Sequence, residues 1–287
     1  MIGQIIVSGI LTGLLYALIA FGFQLTYATS KTANFGQGSL VMLGGLLTAI
    51  IAPKFGYIAA LPVIMIACAV LGVMINYLCI RPSLRNTESA NSWIVATIAF
   101  GIILIGAQEM IFGKNELSIA TPFSEDPLSF GNINILPHEG FIALLVLTIT
   151  FLLDRFYHSR WGKAFEAVSY DRYAAQLQGI PAEKIILGSY IASSILAGIA
   201  GWAVSPITGA GITLEMLGIK SFCAAVVGSL SSTRGALLAG ALIGVLENLA
   251  AFLLPSGFRA LPALILCALV ITFRPTGLFG KATINKV

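Results

Sequence analysis

Histidine occurs twice in this 287-residue chain, at His138 and His158, and cysteine four times, at Cys68, Cys79, Cys223 and Cys267. Acid–base or metal chemistry needs such groups clustered, and neither HExxH nor GxSxG nor a His/Cys/Asp cluster occurs. The cysteines lie in apolar stretches without CxxC spacing, as buried thiols acting as small hydrophobes do. A phosphate cradle is missing too. The nearest stretch, GLFGKA at 277–282, lacks the P-loop spacing and its hydroxyl. The chain is therefore expected to be no enzyme and to carry no metal and no cofactor. Any ATP hydrolysis must come from another chain.

A second kind of chemistry is movement of a polar solute through an apolar medium. Ionisable groups inside apolar stretches are expensive and usually functional. Glu109 stands near the end of one such stretch, and Glu247 stands within another beside Asn248. Glu247 either lines a translocation path or binds a neighbouring helix. Gln24, Asn34, Gln37, Asn76, Thr97 and Gln108 either hydrate a path or hydrogen-bond between helices. Two segments echo one another: NFGQGSLVMLGGLLTAII (34–51) and SSTRGALLAGALIGVLEN (231–248) each set a polar break before a glycine-rich helix. Transporters build midplane pathways from paired interrupted helices, whereas ordinary loops before ordinary spans would look the same. The candidate pathway residues are Asn34, Gln37, Gly38, Glu247 and Asn248. An ion-coupled carrier would instead show several facing acids or a histidine relay.

The third candidate is an island of charge at 155–184, RFYHSRWGKAFEAVSYDRYAAQLQGIPAEK, with eight of the chain's twenty-eight charged residues in thirty positions. The pattern predicts one helix over 162–178, stopped by Gly179 and followed by Pro181. At 3.6 residues per turn Glu166, Tyr170, Tyr173 and Leu177 share one side, and Phe165, Val168, Arg172 and Ala175 another. Such a helix either lies with one side against the chain's own span ends and offers the other to a partner, or rests on the membrane surface as an interfacial helix.

The elements that position these residues are membrane spans. Apolar residues make up 57% of the chain and charged residues 10%, with mean hydropathy +0.94. Soluble domains carry about 25% charged residues. Continuous apolar runs point to helices, not to barrel strands, so the fold class is an all-α polytopic membrane protein. Spans are expected near 5–27, 39–52, 58–80, 92–112, 141–153, 185–207, 236–254 and 260–273, with a short piece at 218–230. The first carries Gly9 and Gly13 in GxxxG spacing. Trp93, Trp161 and Trp202 fall near span ends, where interfacial anchoring is expected, and both histidines fall in polar loops. The island, Arg81 with Arg85, and the tail with Arg274, Lys281 and Lys286 are basic, which places them in the cytoplasm. The loop 113–139 sets Lys114 against Glu116, Glu125, Asp126 and Glu139 and belongs outside. Nine crossings result if 218–230 crosses, with the N-terminus outside and the C-terminus cytoplasmic. If that piece is re-entrant, the tail lies outside, against its charge.

GKAFEAVSYDRYAAQLQGI (162–180) resembles the cytoplasmic loop of permeases of branched-chain-amino-acid-type ABC importers. Tyr173, Ala174, Ala175 and Gly179 occupy the importers' EAA-then-glycine spacing, with Tyr in place of Glu. GLLYALIAFGFQLTY (13–27), NFGQGSLVMLGG (34–45), the stretch 220–229, GALLAGALIGVLEN (235–248) and RPTGLFG (274–280) extend the resemblance over most of the chain. It implies an inner-membrane permease subunit with a second, related permease chain, two P-loop ATPase subunits and an extracytoplasmic binding protein. It also implies that Phe165, Glu166, Tyr170, Arg172, Tyr173, Ala174, Ala175 and Gly179 form the ATPase-coupling region. Relatives are associated with leucine, isoleucine and valine, others with further amino acids, urea or small carboxylates.

Overall fold

The computed structural model describes residues 2–85, 91–124, 126–130 and 133–280. Glu125, Lys281 and Lys286, which enter the charge argument above, lie outside the described residues. The chain runs through α1 (Ile2–Ser30), α2 (Gln37–Phe55) and α3 (Tyr57–Ile75), which continues through a π-helical turn at Asn76–Ile80 into α4 (Arg81–Arg85). Then come α5 (Ser92–Phe112), an antiparallel hairpin of β1 (Leu128–Phe130) and β2 (Ile133–Ile135), and α6 (Pro137–His158). Two short helices follow, α7 (Arg160–Tyr170) and α8 (Arg172–Leu177), then α9 (Ala182–Thr208), α10 (Thr213–Gly228), α11 (Thr233–Leu253) and α12 (Leu261–Phe273).

Among the described residues seven helices are long and apolar enough to cross a membrane: α1, α2, α3 with its continuation, α5, α6, α9 and α11. The 13-residue α12 is a shorter apolar helix, and α10 has 16 residues. The all-α polytopic class is therefore met. Observed helices overrun most expected spans, because apolar scanning misses polar first and last turns. Residues 92–112 form a helix at the expected bounds, whereas the piece expected at 218–230 starts five residues earlier, at Thr213.

The centre of the bundle is α1. Its residues from Tyr16 to Phe21 are buried on every side, as a helix apolar all round must be. It packs on α9, α10 and above all α11. Gly9 lies against Gly244 and Val245, and Gly13 against Gly240 and Ala241. One GxxxG face thus meets another, and the two backbones approach too closely for any side chain between them. Gly240→Leu is expected to destabilise the chain by about 1–3 kcal/mol or more, since the added atoms meet backbone that cannot move aside. Thermal unfolding in detergent checks this against Leu238→Ala, which alters an exposed position of the same helix. Equal melting temperatures would contradict the packing. Exposed apolar side chains concentrate on α3, α5, α6 and α12, with Ile66, Val70, Ile102, Ile103, Leu144, Leu147, Leu264 and Ile265 facing outward.

Charges are sorted between the two ends of the bundle. At one end Lys31 meets Ser169 of α7, Arg81 meets Glu183 at the start of α9, and Arg234 meets Asp154 near the end of α6. The same end carries the α10–α11 turn, where Leu278 N–H donates to Val227 C=O. At the other end Gln4 donates to Asn134 C=O of β2 and accepts from its N–H, both at 2.8 Å, and Leu117 pairs with Ala210.

Two expectations about aromatic and imidazole groups are corrected. His138 and His158 are in the first and last turns of α6, not in loops. His138 is buried, with Nε2 2.8 Å from Ala203 C=O. Trp202 is no interfacial anchor: it is 3% exposed, stacks on Tyr57 at 4.5 Å between centroids, and donates from Nε1 to Tyr57 C=O.

Candidate functional site

The charged island folds as two helices, correcting the single helix expected over 162–178. Asp171 makes the break. Its backbone is extended, and its Oδ1 accepts the N–H groups of Tyr173 and Ala174 at 2.8 and 3.0 Å. A short acidic side chain that satisfies the first turn of α8 competes with continuation of α7. Ser159 caps α7 by accepting from Gly162 N–H. The C-terminal stop of α8 is as expected. Gly179 adopts φ +80°, and Ile180 N–H donates to Ala175 C=O, which closes the helix in a Schellman-type turn.

The two sides of this unit differ sharply. Phe165 (7% exposed), Val168 and Ala175 (5%) face inward, Phe165 meeting Phe156 edge-to-face at 5.1 Å. Glu166, Tyr170, Tyr173 (76%), Ala174, Leu177 (79%) and Gly179 are exposed. Two aromatic rings and a leucine are thus held outward on short, capped helices. Arg172 is half-buried and turns back, its Nη2 3.9 Å from Glu183 Oε1. Beneath the surface α7 packs on α1 and α6, and α8 on α9. Lys31 Nζ donates to Ser169 Oγ at 2.8 Å, and Arg81 Nη2 holds Glu183 at 2.7 Å. The unit is thereby tied to the near ends of α1, α3 and α9.

The candidate pathway residues separate into two networks. Asn34 lies in the break before α2, Gln37 and Gly38 open α2 itself, and all three are buried. Asn34 Oδ1 accepts Gly36 N–H at 3.1 Å. Gln37 Nε2 donates to Ser193 C=O at 3.1 Å, and its Oε1 accepts from Ser193 Oγ at 3.2 Å. Gly38 lies against Gly218 and the backbone of Glu215. The second break, at 229–232, is held from α1, where Gln24 Nε2 donates to Ser229 and Ser232 C=O at 2.8 Å each. Different neighbours thus serve the two breaks.

Glu247 forms the other network. Its side chain has no exposure to solvent; Oε1 lies 2.5 Å from Lys220 Nζ and 3.1 Å from Arg259 Nε, and Oε2 accepts from Tyr16 at 2.5 Å. Asn248 donates to Ser8 Oγ and accepts from Arg259. Between the networks runs α10, which offers Gly218 to one and Lys220 to the other. Sequence reading found Glu247 and missed Tyr16, Lys220 and Arg259 as its partners. The available signal was a lysine within an apolar helix, which requires a counter-charge.

Residues 5–273 match the family described as branched-chain amino acid transport system / permease component. The chain is 33% identical, over 89% of its length and 82% of the relative's, to the probable branched-chain amino acid transport permease protein LivH of Methanocaldococcus jannaschii. It is 28% identical to the high-affinity branched-chain amino acid transport system permease protein BraD of Pseudomonas aeruginosa, over 99% of this chain and 97% of that one. Among solved structures, a chain of PsaBC from Streptococcus pneumoniae in complex with Fab shares the fold, with a TM-score of 0.50 at 16% identity. That likeness covers 94% of this chain and 91% of the other.

Proposed function

The chain belongs to the family of branched-chain amino acid transport permease components, and from that premise we propose that it is the membrane-spanning subunit of an ATP-driven, binding-protein-dependent importer for branched-chain or related small amino acids. It is a multi-pass protein of the cytoplasmic (inner) membrane. The family match over residues 5–273 carries the reading. Its partners are a second homologous permease chain, two P-loop ATPase subunits and an extracytoplasmic binding protein.

Counting α10 and α12 with the seven longer helices gives nine crossings, with the N-terminus outside and the C-terminus cytoplasmic. Two features support this. Lys31, Arg81, Arg155, Arg160, Lys163, Arg172, Lys184, Arg234 and Arg274 belong to the end that carries α7 and α8, against Lys54, Lys114 and Arg259 towards the other. Sixteen helical residues span about 24 Å, so α10 needs only its flanking turns to complete a crossing.

The open side of α7 and α8, with Glu166, Tyr170, Tyr173, Ala174 and Leu177, is the ATPase-docking surface. Phe165, Ala175 and Arg172 hold that surface to the permease, and Gly179 ends α8. Movement of the ATPases on binding ATP pushes this unit, which bears on α1 through Lys31 and Ser169. It bears on α3 and α9 through Arg172, Glu183 and Arg81. Gln37 rests on α9 and Gly38 on α10, so a shift of α9 reaches the break that borders the path. The Glu247–Asn248 network steadies α1, α10 and α11 beside it.

Reconstitution in liposomes separates this reading from an ion-coupled carrier. Leucine uptake is expected only with both permease chains, the ATPases, the binding protein and ATP together. Uptake by this chain alone under a proton or sodium gradient would contradict the proposal.

A further inference from the structure

We propose that the cleft between α3–α4, α8 and the start of α9 binds the phosphate of an anionic phospholipid headgroup. The cleft measures about 200 Å³ and sets three cations, Arg81, Arg172 and Lys184, around one carboxylate, Glu183. Glu183 is already shared: it holds Arg81 at 2.7 Å and reaches Arg172 at 3.9 Å. Lys184 makes no ion pair among the described residues. Two positive charges are thus left over, which suits a phosphate.

Arg81 retains unused donor capacity. Its Nε is shielded from solvent and has no acceptor among the described residues, while its guanidinium lies 5.4 Å from the centre of the Tyr77 ring. Guanidinium donors match phosphate oxygens in geometry as well as charge. The rest of the lining favours a lipid over a free ion. Tyr77, Leu84 and Leu187 line the cleft beside the cations. Tyr77 and Leu78 are exposed on the π-helical turn next to it. An apolar wall with cations at one rim has the profile of the headgroup level, where acyl chain and phosphate part company. A free phosphate would use the cations alone. Because Arg172 belongs to α8 and Arg81 to α4, an occupying headgroup would bridge the docking unit to the end of α3. The inference rests on the cytoplasmic placement of α7–α8 proposed above.

Native mass spectrometry of the delipidated, assembled transporter tests it without reference to transport. Phosphatidylglycerol, phosphatidylcholine and inorganic phosphate are added separately and in competition. The wild type is expected to retain phosphatidylglycerol in preference to phosphatidylcholine. Lys184→Gln, which leaves the Arg81–Glu183 pair intact, is expected to weaken retention about fivefold, as befits loss of one interfacial cation. Arg81→Gln combined with Lys184→Gln should bring it to the phosphatidylcholine level. Equal retention by wild type and Lys184→Gln would overturn the site. Displacement of phosphatidylglycerol by an equal concentration of inorganic phosphate would overturn the lipid as its occupant. Preferential phosphatidylglycerol retention in a permease whose Tyr173→Cys and Leu177→Cys variants never cross-link to an ATPase subunit would count against the docking reading and leave this site standing.

Discussion

Glu247→Ala is expected to destabilise the permease by about 3–5 kcal/mol, because it strands cations that the carboxylate now neutralises. Glu247 is fully buried and within 3.1 Å of both Lys220 and Arg259, and Tyr16 donates to its second oxygen. Lys220 and Arg259 keep some access to water, at 21% and 49% side-chain exposure, so the lower end of that range is the expected one. Unfolding in graded SDS measures the loss. The second arm is Glu247→Leu with Lys220→Met, which removes one stranded charge together with its partner. It should unfold later than Glu247→Leu alone. If the two losses simply add, the pair is not coupled and the network does not brace α1, α10 and α11.

Tyr173→Asp together with Leu177→Lys is expected to abolish uptake while leaving the permease folded. Both side chains are exposed, and buried aromatic or aliphatic anchors at an interface are worth about 2 kcal/mol each. That corresponds to about thirtyfold in affinity per residue. The substitutions suit α8: an acid near its first turn and a base in its last complement the helix dipole. The expected pattern is normal expression and monodispersity, ATPase subunits that no longer co-purify, and no binding-protein-stimulated hydrolysis. Ala175→Glu would not be diagnostic, since Ala175 is buried against the permease and its loss would unseat α8 itself. Normal coupled uptake in the double variant would remove this surface from the docking account.

How much of this was legible in the sequence depended on whether the cause was local. Residues 92–112 form one helix at the bounds read from apolarity alone, because Asn91 and Gly113 delimit it in the chain itself. Gly179 was likewise readable as a stop, since its φ is a property of its own turn. The single helix over 162–178 fails on a local competitor: the carboxylate of Asp171 caps α8, which periodicity alone does not show. Trp202 and His138 failed for a different reason. Their places are set from other helices: Tyr57 of α3 packs on both, and Phe141 of α6 packs on Trp202. Gly9 and Gly13 announced a packing face without naming α11 as its partner. Glu247 announced a need for compensation, but Tyr16 lies 231 residues away in sequence. The candidate pathway was legible as polar positions and not as two separate networks, because α10, the helix between them, shows in sequence as a short apolar piece at 218–230, and its contacts to Gly38 and Glu247 come from packing.

The measurement that bears most directly on the central claim is cross-linking from the open side of α8 in the assembled transporter. The native cysteines, Cys68, Cys79, Cys223 and Cys267, are all buried, so cysteines introduced at Tyr173 or Leu177 would be the accessible ones on this chain. With a short maleimide–diazirine reagent, whose photoactivated end needs no thiol on the partner, and bound nucleotide, Tyr173→Cys and Leu177→Cys are each predicted to join this chain to an ATPase subunit. A transporter that hydrolyses ATP normally, yet yields no such product from either position, would contradict the account.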